Sequence, residues 1–285
     1  MQNLRDPEFI EDLRPGDHLC CLYSSEEEHR AVLAPYLLEG LKRGEKVLYI
    51  VDAHTAETIL GYLRNNGLDL GHYLQQGQLT ILTQDESYVR DGVFDPDAML
   101  ALVEKETEQA AEEGYTALRV TGEMSWALRG LPGSDRLIEY EAKLNRFFPH
   151  HRALAICQYD RRRFDADVLM GILRTHPLAV IGAEIFDNFY YIPPDDLLGE
   201  NPQAAELQRW IENLAQRKRM ERELRANREQ LQQLVQERTA RLQTVMGATT
   251  GRELRMAELK DVIRQLRKQL EDAGITPEAD DPLSN

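Results

Sequence analysis

The chain has 285 residues, 42% of them hydrophobic, and a formal net charge of −15. That is enough apolar content for one substantial core plus an extension. The acidic balance argues against nucleic-acid binding as the main activity, because phosphate backbones demand the opposite sign.

The charge is uneven along the chain. Residues 1–199 carry 19 Lys+Arg against 34 Asp+Glu, whereas residues 200–272 carry 15 against 12. An acidic head followed by a mildly basic, charge-rich segment marks a domain boundary. No secretory signal opens the sequence, and no apolar run of about 18 residues is present, so no membrane span is expected. The three cysteines, Cys20, Cys21 and Cys157, fit a reducing compartment, and a cytoplasmic location is expected.

The head alternates strand and helix patterns. HLCCLY (18–23) reads as a buried strand, followed by a Ser-capped helix that stops near Gly44. KVLYIVD (46–52) and QLTILT (78–83) are strands, separated by a helix from Thr55 to Asn66 that Gly67 closes. Residues 95–114 form an amphipathic helix with Met99, Leu102, Val103 and Ala110 on one face. Strands at 117–126 and 153–160 alternate with helices at 134–148 and 165–176, and 178–192 reads as a terminal hairpin. Such alternation predicts an α/β fold, a three-layer and mainly parallel sheet with helices on both faces. Its working rim lies beyond the carboxyl ends of the strands.

Residues 196–204 read as a linker between the head (1–195) and the tail. The tail carries an imperfect heptad repeat over 205–246. Positions Leu207, Leu214, Glu221, Arg228, Val235 and Leu242 alternate with Trp210, Arg217, Leu224, Leu231, Arg238 and Val245. GATTG (247–251) is expected to interrupt it before a second helix at 252–274, and 275–285 is an acidic tail expected to be disordered. Long C-terminal helices with narrow apolar seams predict a coiled-coil homodimer. The basic cluster from Arg217 to Arg228 is interspersed with Glu221 and Glu223 and reads as a solvated face of that coil.

The connection after the first strand is informative. Strand, loop and helix are laid out as in RecA-like ATPases, and residues 37–52 resemble the clock-protein branch of those enzymes. Yet the loop reads Tyr23-Ser24-Ser25-Glu26-Glu27-Glu28, without Gly or Lys. Three carboxylates at a helix N-terminus oppose a triphosphate, whether or not they also serve the helix dipole. ATP chemistry is not expected.

Four stretches in order, GDHLCCLYSSEEE (16–28), LLEGLKRGEKVLYIVD (37–52), LRVTGEMSW (118–126) and ICQYDRRRFDADVLMGILRTHP (156–177), resemble the MEDS domain, a sensory domain named from methanogens and methylotrophs. The resemblance covers about residues 10–195. It implies a degenerate RecA-like fold, signal transduction, and sensing of a small molecule such as a simple hydrocarbon derivative. Residues 251–274 are similar to helices in PAS-containing sensor kinases. The expected function is therefore a non-enzymatic sensor or adaptor whose output passes to a protein partner such as a histidine kinase or regulator. The alternatives are a residual nucleotide-binding regulator and a structural dimeric scaffold.

The candidate ligand-binding residues follow from these stretches. His18 and Cys20 share a strand face. With Cys157 and His176 they supply the donor types of a zinc or haem site, but the spacing matches no metal motif and free cysteines ordinarily pack as small buried residues. No cofactor is expected. Arg119 and Glu123 share one side of a strand that runs into Trp126. They read either as a pocket floor or as a structural ion pair beside a core indole. Tyr23, Glu28, Tyr159 and Asp160 belong to the same rim. His29, His54, His72, His150 and His151 read as surface positions, and Phe186, Phe189, Tyr190 and Tyr191 as core packing.

Overall fold

The computed structural model describes residues 9–64 and 70–275, without the side chains of 245 and 247–250. The head is one seven-stranded sheet, ordered β3-β2-β4-β5-β1-β6-β7. The strands are β1 (His18–Tyr23), β2 (Lys46–Val51), β3 (Leu79–Thr83), β4 (Leu118–Glu123), β5 (Ala153–Asp160), β6 (Leu178–Ile181) and β7 (Glu184–Asp187). All pair in parallel except β6 with β7. β1, β2, β4 and β5 are buried along their whole length, which explains why they read as unbroken apolar runs rather than alternating ones.

Helices cover both faces, as the sequence predicts. On one face lie α1 (Glu26–Lys42), α2 (Ala56–Arg64) and α3 (Leu70–Gln75). Val32, Leu33, Leu37 and Ile59 pack there against Leu19, Cys21, Val47 and Ile156. On the other lie α4 (Pro96–Glu112), α5 (Leu137–Phe147) and α6 (Ala166–Thr175). Met99, Val103, Leu144 and Ile172 meet Cys20, Leu22, Leu48 and Val120 there. Odd and even positions of β1 thus serve opposite cores, the expected consequence of the pleat.

Several expectations change. The helix expected from Thr55 is α2, and its expected end at Asn66 and Gly67 lies outside the described residues. The linker region contains a short helix, α7 (Pro194–Leu197), and Pro202 opens α8, one helix of 71 residues running to Asp272. GATTG therefore does not interrupt the tail. Its two glycines cost about 1 kcal/mol each in a helix, and without proline the strong helix formers on either side carry the hydrogen-bond ladder through. Residues 276–285 of the expected acidic tail lie outside the described residues. The run 186–191 is not core packing, since Phe186, Phe189 and Tyr190 are exposed.

The chain divides into two units, Met1–Asn213 and Leu214–Asn285. The first turns of α8 belong to the head. Arg174 of α6 donates to Glu206 at 2.7 Å, and Asn213 donates to the carbonyl of Phe189.

Candidate functional site

Two polar clusters stand on opposite faces of the sheet, where the sequence suggested one site. The first lies beyond the carboxyl ends of β1, β2, β4 and β5. Glu123, the last residue of β4, is 2% exposed. Its Oε2 accepts the backbone N–H groups of Asp52, Ala53 and His54 at 3.1, 2.5 and 2.9 Å. The chain after β2 wraps this carboxylate, as backbone amides do around a bound anion. His54 places Nδ1 3.1 Å from Glu123 Oε1 and Nε2 2.7 Å from Glu26 Oε2 at the start of α1.

Charge follows from these distances. Hydrogen bonding to Glu123, opposed by burial, raises His54 to about 9. Burial favours the neutral form of Glu123, but His54 and the three amides outweigh it and hold the carboxyl below its ordinary range. His29 is fully buried one turn into α1, and burial lowers it. Its Nε2 donates to Gln158 Oε1 at 2.6 Å, and the Tyr62 hydroxyl reaches its Nδ1 at 3.3 Å. A neutral His29 therefore stacks on a charged His54. Gln158 donates in turn to Thr121 Oγ1 at 2.7 Å. Tyr49 shares its hydroxyl proton between Glu123 and Gln158, at 3.2 and 3.0 Å. At the outer edge Arg162 binds Asp160 and Glu26.

The N-terminus of α1 is already filled. Ser25 caps it by accepting from the Glu28 amide at 3.2 Å, and Glu28 Oε2 folds back to accept from the Ser24 amide at 2.7 Å. Ser25 is the N-cap and Glu28 reaches one residue beyond it, so the Glu28 carboxylate is engaged by the chain entering the helix rather than facing a ligand.

The second cluster lies under α5 and α6. His18, Glu141, Cys157 and His176 are all buried, and their donor atoms lie within 4.8 Å of one another. Glu141 Oε2 is 3.3 Å from Nε2 of both His18 and His176, and 3.4 Å from Cys157 Sγ. Its Oε1 accepts from the Tyr159 hydroxyl at 2.5 Å. Burial pushes the thiol of Cys157 and the hydroxyl of Tyr159 well up, with Glu141 adding to both. Burial also opposes ionisation of Glu141, but the two imidazoles outweigh it and lower its pKa.

The candidate residues therefore sort differently from the expectation. Tyr23, Glu123 and Asp160 sit at the carboxyl edge, and His18, Cys157, Tyr159 and His176 in the buried cluster. Cys20 leaves the metal-type set, because its thiol points to the Leu178 carbonyl at 3.8 Å. Arg119 does not pair with Glu123. Four residues along a strand are about 13 Å, too far for contact. Arg119 instead binds Glu45 and the Tyr36 carbonyl near the amino end of the sheet. Trp126 packs between Tyr88 and Phe94 on the opposite face from Glu123. His29 and His54, read as surface positions, are central to the edge cluster.

The missed residues left traces. Leu137, Tyr140, Leu144 and Phe148 define a helical stripe that also includes Glu141 and Asn145. His29 likewise opens the buried stripe Val32, Leu33, Tyr36, Leu37 of α1. A polar residue inside an apolar stripe is the signal. His54 has no such signal, since only the strand order brings it to Glu123.

Residues 17–177 match the model of MEDS, the methanogen/methylotroph DcmR sensory domain. That span is more than half of the chain. The chain belongs to the MEDS family. A curated relative, the transcriptional repressor DcmR of Methylorubrum extorquens, is 27% identical over 166 residues, 58% of this chain and 60% of the repressor. The MEDS chain thus spans about three-fifths of the length of that relative. A solved KaiC-like protein of the archaeon Pyrococcus horikoshii superposes with a TM-score of 0.41 at 12% identity, over 58% of this chain and 70% of that one. The family and the relative support a sensory regulatory role. Among the described residues, no helix is long and apolar enough to cross a membrane.

Proposed function

We propose that this MEDS protein is a non-enzymatic cytoplasmic sensor that takes up a small polar molecule at the carboxyl edge of its sheet and signals through a dimeric α8. The ligand class is a simple alcohol, amine or halogenated hydrocarbon. The observation that carries this reading is the Glu26–His54–Glu123 relay. Its outer carboxylate is half exposed, with a side-chain exposure of 54%, and its inner one is buried at 2%.

A ligand that hydrogen-bonds to His54 or Arg162 competes with Glu26. Releasing Glu26 loosens the start of α1 and shifts a network that runs through His29 and Gln158 to Thr121 in the sheet. The required differential affinity between bound and free states comes from breaking or keeping those contacts. Output leaves through the anchored first turns of α8, where Glu206 grips Arg174, toward a histidine kinase or transcriptional regulator as partner.

Thermal denaturation of the full chain against a panel of alcohols, amines and haloalkanes tests the reading, since a ligand that binds only the native state raises the melting temperature. At least one compound is expected to give a saturable shift that Glu26→Gln or His54→Gln diminishes. A panel without any saturable shift refutes it.

A further inference from the structure

The buried cluster has a feature that protein atoms alone do not satisfy. Asn145 donates its Nδ2 to the carbonyls of Glu141 and Thr175, which fixes the amide and turns Oδ1 toward His18 Nδ1 at 3.0 Å. His18 must therefore carry its proton on Nδ1. His176 Nδ1 lies 2.9 Å from the Ile172 carbonyl, which only accepts, so this ring too is protonated on Nδ1. With both rings neutral, both Nε2 atoms aim lone pairs at the same carboxylate oxygen, so either a proton on each Nε2 or one shared cation has to lie there. Lone pair against carboxylate is repulsive, and His176 Nε2 is fully buried with no hydrogen-bond partner. Something positive belongs between them.

The spacing says what. Bond lengths of about 2.0–2.2 Å to nitrogen and oxygen and about 2.3 Å to sulfur put neighbouring donors of a tetrahedral zinc site about 3.3–3.6 Å apart. Here four of the six separations are 3.3 Å from Glu141 Oε2 to each Nε2, 3.4 Å to Cys157 Sγ, and 3.5 Å between Cys157 Sγ and His18 Nε2, and all six lie within 4.8 Å. We propose that His18 Nε2, His176 Nε2, Glu141 Oε2 and Cys157 Sγ bind one divalent ion of the zinc class in tetrahedral coordination.

The donor set, two imidazoles, a carboxylate and a thiolate, suits a borderline cation. Two neutral imidazoles, one carboxylate and one thiolate around a dication sum to zero, as a fully buried site requires. The second layer is built as in metal proteins: Asn145 and the Ile172 carbonyl hold the two rings, and Tyr159 holds the free oxygen of Glu141. Binding releases the Cys157 thiol proton to solvent and forms the metal–sulfur bond. With four protein donors and no open position, the site is structural, joining β1, β5, α5 and the end of α6. The edge triad Glu26–His29–His54 is the weaker candidate, because both His29 nitrogens and His54 Nε2 already hydrogen-bond to protein groups and its one carboxylate is exposed.

The test is metal analysis of the untagged full chain, with cobalt as the spectroscopic probe. About one zinc per chain is expected, and its removal by chelator should lower the melting temperature. Cobalt reconstitution should give tetrahedral ligand-field bands together with a thiolate-to-cobalt charge-transfer band. Cys157→Ser should abolish the latter, Cys20→Ala should leave it, and His176→Gln should release the ion more readily. If variants at Cys157 fail to fold, the wild-type cobalt spectrum and stoichiometry decide alone. Fewer than about one ion in ten chains after zinc and cobalt titration, or cobalt bands without thiolate character, overturn the site.

Discussion

His29 and His54 stack face to face, with ring centroids 4.6 Å apart and 6° between their planes, yet they carry opposite protonation preferences. Burial keeps His29 neutral, whereas Glu123 and Glu26 hold the proton on His54. Two adjacent imidazoles are thereby split into a charged and an uncharged member, and the charge on the outer one depends on its contacts with Glu123 and Glu26.

The first prediction concerns pH. His54 is raised to about 9 in the folded chain against an ordinary value of 6.5. A raised cationic pKa contributes stability that is complete below the unfolded value and is lost as pH climbs through the folded one. The urea midpoint should therefore decline between about pH 7 and about pH 9.5, and His54→Gln should flatten that decline. An identical slope in both proteins would show that His54 does not titrate as its surroundings dictate.

The second concerns Arg119. It is fully buried, bound to Glu45 and laid over the Tyr36 ring at 4.6 Å. Removing one partner of a buried ion pair strands the other charge, at a cost of roughly 3–5 kcal/mol. Arg119→Leu should lower the unfolding free energy by that amount, and Arg119→Leu combined with Glu45→Leu by less. A single-variant loss under about 1 kcal/mol in chemical denaturation would contradict this.

The strands and helices of the head were legible because buried parallel strands are short apolar runs and their covering helices carry caps and stripes. HLCCLY and ALAICQYD needed no tertiary knowledge. Pairings across the sheet did need it. Arg119 and Glu123 looked like partners along one strand, but a strand holds such residues far apart, and each found its charge on another element. Cys20 and Cys157 lie directly opposite in register, yet their thiols turn to different partners. The tail misled in another way: a glycine pair looks like a stop, but helix propensity summed over 71 residues overrides it.

The third prediction follows from the capped start of α1. The amides there are engaged by Ser25 and by Glu28 itself, and Glu26 faces outward as a carboxylate. A nucleotide's phosphates would have to displace these groups and then sit among three acids. Magnesium–ATP should bind no tighter than about 1 mM in calorimetry. A micromolar affinity would return the protein to the nucleotide-binding class.

The last prediction addresses α8. Leu224, Leu231, Val235 and Leu242 are 62–72% exposed along it. They fall on the a and d positions of one heptad frame, at intervals of seven, four and seven. A lone helix gains nothing from such a stripe, whereas a second copy buries it at about 25 cal/mol per Å² of apolar surface. Charged residues at the intervening a and d positions, Arg228 and Arg238, and at the preceding one, Glu221, weaken the seam, so the dimer should dissociate at low concentration rather than persist without limit. Sedimentation equilibrium of the full chain should show a concentration-dependent dimer. Leu231→Glu with Val235→Glu should leave the monomer at every loading while the head keeps its melting transition, because neither residue belongs to the head's unit. A wild-type chain that stays monomeric at high concentration, or a dimer indifferent to both substitutions, would remove α8 as the dimerising element and with it the route by which the head's state reaches a partner.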